Sequence, residues 1–173
     1  SQMEAPMHRR SVAVFDRFLS ALATILDQAE PHCEAKKTKP EVILAARLFP
    51  DMFPFARQVQ LPCDFAARGT ARLAGQDPKG FPDTETTFAE LKNRIAAARG
   101  YMGSFQAADF AHADTRDVHF KAGGHDMVLK GDEFLSFYSL PQFFFHITTA
   151  YDILRHCGIE LGKRDFMGTP VTL

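Results

Sequence analysis

The chain has 173 residues, with 20 Lys+Arg against 21 Asp+Glu and a net charge of -1. A chain of this length buries roughly 70% of its extended surface and is read as a single domain. The near-neutral balance excludes a general nucleic-acid binder or a polybasic membrane binder, since both need a dense cationic face.

Three cysteines (Cys33, Cys63, Cys157) show no CxxC spacing. That excludes a disulfide framework and predicts a reducing, cytoplasmic setting. No apolar run approaches the roughly 18 residues of a membrane span; Phe143-Phe144-Phe145 is followed at once by His146. The first residues lack a positive region followed by an apolar one, so no signal peptide is expected. Residues 1–7 read as disordered or as left over from expression. The unusual count is aromatic: 17 Phe, 3 Tyr and no Trp.

Segment one spans about Ser11 to Lys37. Val12, Phe15, Phe18/Leu19, Leu22 and Ile25/Leu26 recur every three or four residues, which is one face of a helix. Ser11 is the expected N-cap, and Pro31 should kink or end the helix. Segment two opens at Pro40. Leu44, Leu48, Met52, Phe55, Val59, Cys63, Ala66, Thr70 and Leu73 hold helical phase through three prolines. A helix bent or broken near Pro50 to Pro54, resuming toward Arg72, reconciles phase with proline chemistry. Segment three follows a cap at Thr84 or Thr86. Phe88, Leu91, Ile95, Ala98, Met102 and Phe105 step in a clean heptad.

Between Asp114 and Asp132 the period changes. Two short strand-like runs flank Gly123-Gly124, which predicts a β-hairpin lying on the helices. Segment four runs from Asp132 to about Cys157, with Gly158 as its stop. Phe134, Phe137, Leu140, Phe144, Ile147, Tyr151 and Leu154 form a stripe, and Phe143, Phe145 and Ala150 widen it. A helix apolar nearly all round is expected to be central, and Pro141 to bend it. Residues beyond Gly158 read as an irregular tail. Four amphipathic segments with a hairpin before the last predict an all-α four-helix bundle, most of its Phe in the core.

Four strings carry a family resemblance: SVAVFDRFLSALATILDQAE (Ser11 to Glu30), ARLFPDMFPFARQVQLPCDFAARGTARLAG (Ala46 to Gly75), TFAELKNRIA (Thr87 to Ala96) and LPQFFFHITTAYDILRHCGIELGKRDFMG (Leu140 to Gly168). Together they resemble the domain-of-unknown-function family nineteen-ninety-three, near the DinB/YfiT-like metalloenzyme superfamily. The resemblance implies a DinB-like bundle and a homodimer, and no established reaction. The superfamily places three histidines around a divalent metal: one from the second helix, two from the last, four residues apart. Here His146 has Gln142 four residues before it and Ala150 four after, and the second helix has no histidine. The three-histidine set is therefore absent, and a metal would rest on His146.

His146 sits among apolar residues, so it is either a ligand or a core histidine with a polar partner. Asp51 could meet it across the bundle, or pair with Arg47 one turn away. Gln58 and Gln142 could hold a small-molecule ligand, or cap helix ends opened by prolines. Tyr138 and Tyr151 are candidate acids or ligands, or core rings with a hydroxyl at a polar edge. His112, His119 and His125 match no zinc spacing. Two functions follow: a small-molecule or metal-binding bundle with its pocket between the second and last helices, or a non-catalytic homodimer with a degenerate metal site.

Overall fold

Helix α1 (Pro6–Lys36) is the longest element of the computed structural model, which describes residues 5–168. It starts five residues before the predicted cap. Pro6 occupies the first turn, where a missing N–H costs nothing, and Met7 adds a buried anchor. Ser11 is therefore not a cap: it is buried within the helix, and its hydroxyl donates to the Met7 carbonyl at 2.6 Å. Residues 5–7 are thus part of the fold rather than disordered, while residues 1–4 lie outside the described part. Pro31 does not end the helix. It sits on the exposed side, where the carbonyl it leaves unpaired faces water.

The second segment is two helices. A short α2 (Pro40–Leu44) is followed by ten irregular residues, then α3 (Phe55–Leu73). Pro54 forces extended backbone at the junction, and the Phe55 N–H closes the loop on the Ala46 carbonyl at 2.8 Å. The predicted phase holds from Phe55 onward, where Phe55, Val59, Cys63, Ala66, Thr70 and Leu73 are all sealed from solvent. Before the break it fails, and Leu48 is exposed.

Helix α4 (Phe88–Gly103) buries the predicted heptad from Phe88 to Met102, and Phe105 is buried just past its end. Its cap is Thr87 rather than Thr84 or Thr86: Thr87 Oγ1 accepts from the Glu90 N–H, and the Glu90 carboxylate accepts from the Thr86 N–H. Strands β1 (Asp117–Ala122) and β2 (His125–Lys130) pair antiparallel from Asp117↔Lys130 to Ala122↔His125. Gly123 and Gly124 both have positive φ (58° and 80°), which a two-residue hairpin turn requires. Val118 and Phe120 of β1 face inward, with Phe120 against Phe134 and Tyr138.

The last helical run begins with α5 (Gly131–Phe134), widens into a π-helical turn over Leu135–Ser139, and continues as α6 (Leu140–His156). The Leu140 N–H reaches back five residues to Leu135. Pro141 explains the widening, because it has no N–H to continue the ordinary ladder. The inserted residue shifts the buried face to Phe134/Leu135, Ser139, Phe143, His146/Ile147, Ala150 and Leu154. Phe137, expected in the stripe, is 75% exposed, and Phe145 is 57% exposed. The expectation of an all-round apolar central helix is thus corrected. Phe49 and Phe53 are exposed too, so the aromatic surplus is not all core. Gly158 (φ +89°) ends α6, and the expected irregular tail contains a short α7 (Lys163–Met167) against α1.

The long helices share one core, with α3 against α6 and α4, and α1 against α4 and α6. Edge-on ring pairs such as Phe15–Phe143 at 5.0 Å join α1 to α6. Among the described residues no helix is long and apolar enough to cross a membrane.

Candidate functional site

Helices α3 and α6 bring Gln58 and His146 together. The Gln58 amide is oriented by the α2–α3 loop: its Nε2–H donates to the Phe53 carbonyl at 3.2 Å. That leaves Gln58 Oε1 facing His146, so Nδ1–H of the imidazole must donate to it, at 2.7 Å. The tautomer is thereby fixed, and Nε2 carries the lone pair. Nε2 has no hydrogen-bond partner among the described residues and is not sealed from solvent. The ring lies flat on Phe65 (centroids 5.8 Å apart, planes 5° apart), with Phe145 edge-on at 5.1 Å. His146 is only 8% exposed. Burial, and then the charge of nearby Arg57, bring its pKa down to about 4. At neutral pH the group is a neutral imidazole whose free nitrogen can accept a proton or a hydrogen bond.

The other sequence candidates lie elsewhere. Asp51 is exposed in the α2–α3 loop, and the partner across from His146 is Gln58. Arg47 donates to the Met52 carbonyl at 2.6 Å rather than serving Asp51 as its ion-pair partner. Gln142 is half-buried, one turn before His146. Tyr151 packs on Phe166 of α7, away from the His146 face. Cys63 is a core residue whose thiol burial pushes up to about 12.

These residues do not fit a divalent metal. Among the described residues there is no group of three His, Cys, Asp or Glu placed to hold one. The nitrogen nearest the Gln58 oxygen is already protonated, and Arg57 adds positive charge beside the ring.

A second polar centre was not anticipated from sequence. Arg94 of α4 is almost entirely buried, and its two terminal nitrogens reach across to α3 and the loop before α4. Nη2 donates to Asp64 at 2.7 Å and Asp83 at 3.1 Å; Nη1 donates to Glu85 and the Pro82 carbonyl, both at 2.9 Å. Arg57 joins through Asp83 at 3.1 Å, and Gln60 through Glu85 at 3.0 Å. Burial works against the Arg94 charge, but its bonds to Glu85 and Asp64 outweigh that and hold it above the usual range. The signal was present in the sequence: Arg94 is adjacent to Ile95 on the heptad phase of α4.

The family model described as a domain of unknown function (DUF1993) matches residues 7–167. The chain belongs to the DUF1993 family. A solved structure of a DinB family member protein from Shewanella denitrificans is 42% identical to this DUF1993 chain. The likeness covers 96% of this chain and 94% of that one, with a TM-score of 0.89. No curated protein matches the DUF1993 chain. No specific function attaches to the family.

Proposed function

We propose that this DUF1993 chain is a single cytoplasmic DinB-like four-helix bundle that binds a small molecule at the His146–Gln58 pair, without a metal. The observation that carries the reading is the tautomer. Gln58 holds Nδ1–H, so a neutral Nε2 acceptor of a buried ring keeps some access to solvent beside the exposed ring of Phe145. Such a site suits a molecule with an O–H or N–H donor on an apolar body. The test is a titration with phenol, read by the imidazole ¹⁵N shifts of His146. The expected result is a shift of Nε2 on titration that weakens in Gln58→Leu, where the tautomer is no longer held. Unchanged shifts, or stoichiometric metal in purified protein that His146→Ala removes, would overturn it.

The exposed Phe137 and Phe145 favour a second reading, in which this face joins two copies of the chain as a homodimer. Sedimentation at micromolar concentration distinguishes it. A dimer that Phe137→Ser splits supports the interface; a monomer in wild type removes it.

A further inference from the structure

At the other end of α3, about 21 Å along the helix from Gln58, a cleft of about 390 Å³ opens between the helix C-terminus and the hairpin. Arg72, the Gly75–Pro78 turn, Arg116 and His119 line it. Arg116 is fixed there. Its Nη1 donates to the Leu73 carbonyl, and its guanidinium lies so close to Gly75 that a Cβ there would sit 2.8 Å from Cζ. Gly75 also has φ +75°, so the turn needs glycine twice over.

Half-buried Arg72 differs from Arg57 and from the fully buried Arg94. Those two have carboxylate partners, whereas the Arg72 side chain makes no hydrogen bond or ion pair among the described residues. Burial, and then neighbouring Arg68, hold it below its usual range. Two carboxylates border the cleft. Asp117 is answered by Lys130 across the hairpin at 2.7 Å, which leaves Asp77 of the turn as the acid facing the arginines.

We propose that this cleft binds the oxyanion of a small molecule, a phosphate ester or a carboxylate, between the guanidinium groups of Arg72 and Arg116. A planar guanidinium matches an oxyanion with paired N–H donors, and a half-buried arginine lacking a carboxylate gains most from such a ligand. His119 at the mouth adds a further hydrogen-bonding group.

Calorimetric titration with inorganic phosphate, at ionic strength held constant with chloride, tests this. Wild type binds phosphate. In Arg72→Gln, whose side chain supports no interior bond, the dissociation constant rises about tenfold or more. In Asp77→Asn it falls, because the competing charge is gone. A parallel titration with acetate separates the sources: phosphate alone binding selects a phosphoryl group, acetate alone a carboxylate. No binding of either by wild type, or an Arg72→Gln affinity equal to wild type, overturns the proposal.

Discussion

Helix α3 carries two buried polar centres that solve the same problem in opposite ways. Around Arg94, charge is met with charge: three carboxylates and a backbone carbonyl surround its terminal nitrogens, and the loop before α4 is tied down in the process. Around His146 the group is neutral, its single interior bond goes to an amide, and one ring nitrogen is left over. The first centre commits both terminal nitrogens of Arg94 to the fold, and among the described residues only its sealed Nε–H goes without a partner. The second keeps capacity in reserve, which is what a binding site needs. Arg57 stands between them, bonded to Asp83 and felt by His146.

The largest expected effect breaks the first centre. Arg94→Met removes the central cation from Asp64 and Glu85, both largely enclosed, and leaves Arg57, 3.9 Å from Asp64, as the nearby positive charge. An uncompensated buried pair costs about 3–5 kcal/mol when one partner is removed. Urea unfolding should show that loss as a lower midpoint. A loss below about 1 kcal/mol would mean the cluster is as dispensable as an exposed ion pair.

Next comes the titration of His146, which tests the neutral half of the comparison. Its folded pKa of about 4 lies below the ordinary value of 6.5. Between these values the unfolded chain binds the extra proton, so stability rises with pH across the window. The contribution is complete above about pH 6.5 and is lost as pH falls toward 4, an effect of ~3 kcal/mol. Unfolding free energies of wild type and His146→Gln, compared from pH 7 to pH 4.5, should converge as the pH falls. Parallel curves would show that the imidazole is not desolvated.

Much of this architecture was legible from periodicity, because buried faces of α1, α3 and α4 repeat in helical phase. What periodicity misread was register. The π-helical turn before Pro141 inserts one residue, so Phe137 moved from the expected core stripe to solvent and Ser139 moved inward. A single inserted residue leaves no compositional trace beyond the proline itself. Of the site, Gln58 was legible as a polar residue near proline breaks, and His146 as a polar residue among apolar ones. Their pairing was not, since it depends on the depth at which α3 meets α6. Asp51 was a candidate for a different reason: helical phase was carried through a loop that has none. The Arg94 cluster was missed because Asp83, Glu85 and the Pro82 carbonyl lie in the loop before α4, where no period applies, and Asp64 reaches it from another helix.

The smallest predicted effect separates local order from the cross-element bonds. Thr87 caps α4 seven residues before Arg94, and its hydroxyl accepts from the Glu90 N–H at 3.1 Å. Thr87→Ala removes that bond and should cost about 1 kcal/mol, the ordinary value of a helix cap. The Arg94 cluster begins beyond the cap and is anchored on α3 through Asp64, so the loop should stay latched in this variant. Hydrogen exchange and limited proteolysis can show the difference. Amides in the first turn of α4 should exchange faster in Thr87→Ala, while protease cleavage in the loop before α4 stays at the wild-type rate. In Arg94→Met that loop should be cleaved faster. If Thr87→Ala frees the loop as well, then the cap rather than the arginine holds it, and the contrast between the two centres of α3 would have to be redrawn around the loop.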